Sequence, residues 1–316
     1  MRLHYFQDPA GNFGDDLNRW LWPKLKPDLL DDNRDELFVG IGTLLNHRLP
    51  AEPVKHVFGS GVGYGRTPIV DKTWIVHAVR GPLSADALGL PSSKAITDAA
   101  VLIRLVAPTI PKKRHRCGLV VTGHSLAQYD WASVCAQAGV RFISCHWDVD
   151  RVLQAMGECE MLLCEAMHGA IVADALRIPW VPVSLYGKLL DFKWKDWLGS
   201  LQLEYLPEYL TPIYAPDPGS LKSRLKTETK RLLSQFGYKP ASWTPTRPRA
   251  TGARELNQVL TQLQALSRST GTLSNDSLID RHVERFSALL ELAPASGSRA
   301  NQPEPARMKG EDALVA

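Results

Sequence analysis

The chain has 316 residues, 44% of them hydrophobic, which is enough for two domains of ordinary size with buried cores. Its 37 basic and 33 acidic residues give a formal net charge of +4, too small to indicate nucleic-acid binding. This charge suits an acidic small-molecule substrate or an anionic membrane surface. The first residues lack a signal-peptide layout and no apolar run reaches about 20 residues. We therefore expect a cytoplasmic protein, soluble or peripheral to the inner membrane.

The first hundred residues alternate short apolar runs with amphipathic stretches. The apolar runs predict strands at Leu3–Phe6, Leu37–Ile41, His56–Gly59, Thr73–Val79 and, as a further candidate, Val101–Ile103. A helix is predicted after Gly14, where apolar residues recur at helical spacing, and another from Pro82 to Gly89. Residues 1–110 are predicted to form a first Rossmann-like domain.

A basic, proline-bearing segment at residues 111–116 is predicted to be a linker, after which the same rhythm restarts over residues 117–218. The predicted strands are Cys117–Thr122, Arg141–Cys145, Met161–Cys164 and Trp180–Ser184. The predicted helices between them are Tyr129–Gln137, Val149–Met156 and Gly169–Arg177. Strands separated by helices of this length indicate parallel sheets, so the chain is expected to be an α/β protein with two doubly wound domains facing a cleft.

The pattern over residues 219–293 is helical only, with apolar stripes that begin near Leu221, Leu256 and Leu278. Residues 294–316 are rich in small, proline and charged residues and are predicted to be disordered. Between Lys222 and Arg254 there are nine basic residues and only Glu228 on the acidic side. This stretch fits a solvated helix face and a contact with an anionic bilayer equally well.

Ligands of open parallel sheets bind at the carboxyl ends of the strands, and several polar or glycine-rich segments occupy that position here. The first is Asn-Phe-Gly-Asp at residues 12–15, which is either a capped turn or a site where Asn12 contacts substrate and Asp15 acts as a general base. The second is residues 59–65, with four glycines, where Ser60 and Gly61 are candidates to contact an anion. Its spacing matches neither a P-loop nor the dinucleotide-binding glycine pattern.

Two further candidates follow in the first half of the chain. Arg80 stands between an apolar strand and a helix start, where a guanidinium can bind a carboxylate or a phosphate. Asp98, in Ile-Thr-Asp, is compatible with a plain turn or with a carboxylate in the same cleft.

The candidates in the second half centre on His168, placed between an apolar strand and an apolar helix, where it can deliver a proton near neutral pH. Glu165 is predicted to orient it, and His146 to border the cleft. The segment around His146 fits no zinc pattern, so no metal site is predicted. The five cysteines are odd in number and are predicted to be reduced core residues.

Lysines near the last strand could neutralise phosphate, and we predict this role for Lys188 and Lys193. Trp194 and Trp197 follow closely. Their spacing is more typical of core residues than of a platform that stacks on a sugar.

The order of five motifs is informative in itself: Asn-x-Gly-Asp, Gly-Ser-Gly, Val-Arg-Gly-x-x-Ser, Ile-Thr-Asp and Met-His-Gly-Ala-x-x-Ala-x-x-x-x-x-Pro. With the Lys-Trp-Lys-Asp-Trp stretch at 193–197, this order resembles the polysaccharide pyruvyl transferase family, notably its exopolysaccharide branch, over roughly residues 1–200. The resemblance implies two Rossmann-like domains of glycosyltransferase-B type. It also implies Arg80 as an anion anchor and His168 as a phosphoenolpyruvate contact and acid. Many members have an arginine where this chain has Ala166, so the missing charge is expected from Lys188 or Lys193.

The activity implied is transfer of a pyruvyl group from phosphoenolpyruvate to a sugar of a lipid-linked oligosaccharide, forming a ketal and releasing phosphate. That chemistry needs an acid, for which His168 is the candidate, and a base, for which Asp15 and Asp98 are candidates. It needs no cofactor, because phosphoenolpyruvate is itself the donor substrate. Two alternatives remain open: a glycosyltransferase that uses a nucleotide sugar, and a non-catalytic glycan-binding protein of polysaccharide assembly.

Overall fold

The first half of the chain forms a four-stranded parallel sheet. The computed structural model describes residues 1–109, 111–187, 190–216, 229 and 248–294. The strands of this sheet are β1 (Arg2–His4), β2 (Glu36–Val39), β3 (Val54–Phe58) and β4 (Trp74–Ala78), in the order β1-β2-β3-β4. Four of the five predicted strands of this region are confirmed, with ends that differ by a few residues.

The helices of the first half are α1 (Phe13–Leu25) and α2 (Pro82–Ala87), together with two 3₁₀ helices, Ser92–Lys94 and Ala99–Leu105. The Asn12 side chain caps α1 by accepting a hydrogen bond from the Gly14 amide at 3.1 Å. The predicted strand Val101–Ile103 is wrong, because these residues belong to the second 3₁₀ helix. A short buried apolar run does not distinguish a strand from a buried helix, and here the side chain of Asp98 caps the helix start.

The second half forms a five-stranded parallel sheet with the order β6-β5-β7-β8-β9. Its strands are β5 (His115–Val121), β6 (Arg141–Ser144), β7 (Cys159–Cys164), β8 (Trp180–Ser184) and β9 (Glu208–Tyr209). The last of these was not predicted, and β5 begins inside the segment predicted to be a linker. The helices around the sheet are α3 (Gly123–Leu126), α4 (Trp131–Ala138), α5 (Val149–Gly157) and α6 (Met167–Ala175).

The strand order of the second sheet identifies where a ligand should bind. The chain leaves β5 toward β6 on one side and leaves β7 toward β8 on the other. A crevice therefore opens beyond the carboxyl ends of β5 and β7, which is the usual ligand position in a doubly wound sheet. The α/β class with two parallel sheets is confirmed, while the glycosyltransferase-B arrangement and the domain limits stay predictions.

Within the described ranges, three later helices pack on the rest of the protein: α7 (Asp191–Ser200), α8 (Ala253–Leu266) and α9 (Asp276–Glu291). Helix α7 packs on α2, α8 packs on α4, and α9 packs on the 3₁₀ helix Ala99–Leu105. The apolar stripes predicted near Leu256 and Leu278 are thus confirmed as helices, with faces buried against the rest of the protein. The stripe near Leu221, most of the basic stretch and most of the predicted disordered tail lie outside the described residues.

The two halves share one hydrophobic core. A single buried cluster contains Leu17 of α1, Leu102 of the 3₁₀ helix, Ile171 of α6 and Phe286 of α9. The cysteines are buried and free, as predicted, and burial raises their thiol pKa values. Across the described ranges, no helix has the length and apolar character needed to cross a bilayer.

Candidate functional site

A cavity of about 640 Å³ lies where the carboxyl ends of strands from both sheets meet. Its walls come from the segments that follow β1, β2, β5, β6 and β7, together with Tyr64 and Lys193. This position agrees with the crevice expected from the strand order of the second sheet. Cavities of this size accommodate small-molecule ligands.

The structure divides the predicted site residues into two groups. Asn12, Asp15, His168 and Lys193 line the cavity. The others do not: Ser60, Arg80 and Asp98 are fully buried behind its wall, and Gly61 packs against Arg80. Lys188 lies outside the described residues.

Helix α6 begins at the cavity wall, since Ala166, Met167 and His168 are lining residues. No side chain caps this helix start. The first N–H groups of a helix have no partner within the helix, and the helix dipole adds partial positive charge there. The start of α6 therefore gives the cavity an electropositive wall that suits an anion.

The imidazole of His168 depends on the glycine of the Asn-Phe-Gly-Asp motif. A Cβ atom placed on Gly14 would lie 2.1 Å from His168 Nδ1, closer than any side chain allows. Helix α1 thus leaves room for the ring only because residue 14 lacks a side chain. The His168 side chain retains 15% of its exposure.

Asp15 stands beside His168 at the start of α1. Burial raises its pKa to about 6, although the charges of His168 and Lys193 oppose the shift. A carboxylate with this pKa is mostly ionised at neutral pH and is a stronger base than an ordinary aspartate. It can therefore accept a proton from a hydroxyl group held in the cavity.

Asp98 approaches His168 from the protein interior and not from the cavity. Its Oδ1 accepts a hydrogen bond from the Ala100 amide at 3.0 Å, and its Oδ2 lies 3.7 Å from His168 Nε2. The side chain is fully buried, so the predicted contact between Asp98 and a substrate does not fit this placement.

The predicted orienting role of Glu165 also needs correction. Its carboxylate accepts hydrogen bonds from the Thr122 amide and hydroxyl, both at 2.9 Å, and from the Ser125 hydroxyl at 2.5 Å. These bonds join the ends of β5 and β7 and none of them reaches His168. Burial raises the pKa of Glu165, and the bonds to Ser125 and Thr122 oppose the shift.

Arg80 lies in a buried network that reaches the cavity wall at Thr43, although Arg80 itself does not line the cavity. Its Nε donates to Asp196 Oδ2 at 2.9 Å, one Nη donates to Thr43 Oγ1 at 2.8 Å, and the other to the Val62 carbonyl at 2.7 Å. Asp196 also accepts from the amide and hydroxyl of Ser84. Because its donors are used inside the protein, this placement does not support Arg80 as a direct anion anchor.

Two motif glycines make room for this network. A Cβ on Gly61 would lie 2.4 Å from the Arg80 guanidinium carbon, and one on Gly81 would lie 1.9 Å from the Asp196 carbonyl oxygen. The hydroxyl of Ser60 joins its loop to the neighbouring loop after β2, donating to the Gly42 carbonyl and accepting from the Leu44 amide. The glycine-rich turn is therefore structural at these positions, although Tyr64 at its end lines the cavity.

The cavity contains a cation that the sequence did not indicate. Arg48, in the loop after β2, is an exposed lining residue and belongs to no recognisable motif. Lys193 was predicted, and its Nζ donates to the Tyr64 hydroxyl at 2.8 Å. Among the described residues that line the cavity, Arg48 and Lys193 are the arginine and the lysine.

Several remaining residues are structural. His146 Nδ1 donates to the Gly11 carbonyl at 2.7 Å and ties the α1 entry loop to the second sheet, but it is absent from the cavity wall. Trp194 and Trp197 are buried core residues, which confirms the interpretation favoured from their spacing. No group of three or more potential metal ligands occurs within the part of the chain that the structure describes.

Comparison with known proteins gives one informative relationship. The chain is 32% identical over 311 residues to the succinoglycan biosynthesis protein ExoV of Rhizobium meliloti (strain 1021). The match covers 92% of this chain and 98% of the relative. No protein-family model matches the chain. Identity at this level along nearly the full length of both proteins shows that the chain belongs to the polysaccharide pyruvyl transferase family.

Proposed function

We propose that this protein transfers a pyruvyl group from phosphoenolpyruvate to a sugar of an exopolysaccharide precursor, forming a pyruvate ketal and releasing phosphate. The observation that carries the proposal is the convergence of His168, Asp15 and Lys193 on one cavity beside the uncapped start of α6. This set combines an imidazole, a carboxylate that acts as a base and a cation. Family membership and the relative's printed role in succinoglycan biosynthesis support the same reaction.

The donor carries a carboxylate and a phosphate, so the site needs positive charge for both. The start of α6 offers backbone N–H groups, and Arg48 and Lys193 offer cationic side chains on other parts of the cavity wall. Ala166 removes the arginine implied by the family resemblance. We infer that Arg48 and Lys193 supply the positive charge that this alanine lacks.

The chemistry assigns distinct roles to the acid and the base. In the proposed reaction His168 donates a proton to the methylene carbon of phosphoenolpyruvate, so that C2 becomes electrophilic. A sugar hydroxyl adds to C2 and loses its proton to Asp15, and the C2–O bond to phosphate then breaks. A second hydroxyl adds to C2, closes the ketal and returns a proton to His168, while Asp15 gives its proton to the released phosphate. The cations stabilise the departing phosphate.

The rim of the cavity suits a sugar acceptor. Phe6 and Tyr64 line the cavity, yet 57% and 49% of their surfaces remain exposed. Exposed aromatic rings at the mouth of a polar site offer flat apolar surfaces to the C–H face of a sugar ring. A lipid-linked oligosaccharide remains our proposed acceptor.

The test is an assay of the purified full chain with phosphoenolpyruvate and a lipid-linked oligosaccharide. The expected result is phosphate release together with an acceptor mass increased by one pyruvate less one water. Release of a nucleoside diphosphate from nucleotide sugars, with no reaction of phosphoenolpyruvate, would instead identify a glycosyltransferase. Glycan binding without release of phosphate would identify a non-catalytic protein. A matched pair of variants, His168→Gln and His115→Gln, separates the cavity imidazole from one outside the cavity.

A further inference from the structure

Two buried polar atoms at the edge of the site face each other and lack hydrogen-bond partners among the described residues. They are Asp98 Oδ2 and His168 Nε2, 3.7 Å apart. Buried polar atoms in folded proteins are nearly always paired, so a pair of facing exceptions calls for an explanation. An imidazole N–H is a hydrogen-bond donor and a carboxylate oxygen is an acceptor, so a small decrease in their separation would form a hydrogen bond.

The positions of both groups are fixed by packed elements from different halves of the chain. Asp98 caps the 3₁₀ helix Ala99–Leu105 through its Oδ1, which accepts a hydrogen bond from the Ala100 amide. That helix packs on α6, whose first turn carries His168. The carboxylate is therefore held rigidly behind the imidazole and cannot turn toward the cavity.

The other ring nitrogen has a different environment. Nδ1 lies beside Gly14, at the start of α1, where Gly14 and Asp15 both line the cavity. An ionised carboxylate can only accept a hydrogen bond, so Asp98 favours a proton on Nε2. In the neutral ring this leaves Nδ1 without a proton, so Nδ1 is the nitrogen that takes up the second proton. The cationic ring then delivers this Nδ1 proton to a ligand and returns to the neutral Nε2–H form.

We propose that Asp98 is a positioning residue that keeps the Nε2 of His168 protonated, so that Nδ1 is the atom that delivers the proton in catalysis. The statement about the tautomer does not depend on the reaction, whereas the last clause rests on the proposed function. The separation of 3.7 Å is longer than a hydrogen bond, and we expect it to shorten when the cavity is occupied, as is common at catalytic sites.

The tautomer is measured directly by ¹⁵N NMR of the histidine rings in the full chain, at a pH where the rings are neutral. The His168 signals are identified by their loss in His168→Gln. We expect the wild-type protein to show the Nε2–H form. In Asp98→Asn the amide can donate to Nε2, so we expect a shift toward the Nδ1–H form. The exposed Asp86→Asn, which also removes one carboxylate, should leave these signals unchanged.

Activity supplies the second measurement. A wrong histidine tautomer produced by replacing a buried aspartate with asparagine costs about 10⁴-fold in the serine-protease case, and we expect Asp98→Asn to lower kcat at least a hundredfold with KM for phosphoenolpyruvate little changed. A wild-type Nδ1–H form, or an unchanged tautomer in Asp98→Asn, would overturn the proposal. The protein could show the expected tautomer shift and yet never release phosphate from phosphoenolpyruvate. That result would support the Asp98–His168 pairing and contradict the proposed function.

Discussion

Two clusters of charged residues near the cavity, one behind its wall and one partly lining it, differ in how completely their hydrogen-bonding groups are used. The Arg80–Asp196 pair is fully buried, and partners from three other residues complete its bonds. The cluster of Asp15, Asp98 and His168 leaves facing polar atoms unpaired, and two of its members reach the cavity. Buried charged groups whose hydrogen bonds are all made have a structural role. Buried polar atoms that lack hydrogen-bond partners beside a cavity instead mark a place where chemistry can occur.

The largest effect expected in the second cluster is that of His168→Gln. Removing a general acid lowers the rate by about 10²–10⁴-fold, and we expect this loss in kcat for phosphate release with the melting temperature nearly unchanged. The matched variant His115→Gln removes a ring at the start of β5 that does not line the cavity and should keep most of the activity of the folded protein. Near-normal turnover by His168→Gln would exclude the acid role.

The corresponding change in the first cluster is Asp196→Ala, which leaves the guanidinium of Arg80 buried without its counter-charge. Breaking such a pair costs about 3–5 kcal/mol, and urea denaturation should show this decrease in the free energy of unfolding. The folded fraction should retain its KM for phosphoenolpyruvate, since the pair does not line the cavity. An increased KM without loss of stability would restore Arg80 as an anion anchor.

The difference between the clusters also explains what the sequence could predict. Apolar runs and spacing predicted the positions of most strands, and the carboxyl-end rule pointed to Asn12, Asp15, His168 and Lys193, which line one cavity. Arg80 occupies the same kind of position after a strand. However, its partner Asp196 is 116 residues away, and no local pattern shows which way the guanidinium points.

Other failures have the same origin. Glu165 precedes His168 by three residues, yet its hydrogen bonds go to Thr122 and Ser125, which follow the neighbouring strand β5. Arg48 enters the cavity from a loop without a motif, so only the folded chain brings it there. Pairings between distant segments are set by packing, and single-sequence patterns carry little information about them.

The glycines allow the two clusters to be compared with the same chemical change. In Gly14→Ala the new Cβ would collide with His168 Nδ1, and in Gly61→Ala with the Arg80 guanidinium. Both collisions should lower the melting temperature. A misplaced catalytic group costs up to about 10²-fold, so Gly14→Ala should in addition lower kcat of the folded protein, whereas the folded fraction of Gly61→Ala should keep a kcat close to that of the wild type. Equal effects of the two variants on both quantities would erase the distinction between the clusters.

The pH dependence of stability provides a test at Asp15. Its folded pKa of about 6 lies above the usual 3.8, so the folded state favours the protonated form. This contribution to stability is complete below pH 3.8 and is lost as the pH rises through about 6. Asp15→Asn should therefore be more stable than the wild type at pH 8, by about 1–3 kcal/mol, and the advantage should shrink toward pH 4. Denaturation at both pH values measures it, and a pH-independent difference would contradict the raised pKa.

The smallest effect is expected for the cation at the cavity rim. Lys193 contacts the Tyr64 hydroxyl and lines the cavity, whereas Lys195 is exposed on the same helix and is not a lining residue. A hydrogen bond to a charged group contributes about 1.5–3 kcal/mol, so Lys193→Gln should raise KM for phosphoenolpyruvate about tenfold with a smaller change in kcat. Lys195→Gln removes the same net charge and should leave KM unchanged. If both variants raise KM equally, the effect is that of overall charge, and the anion is bound elsewhere in the cavity.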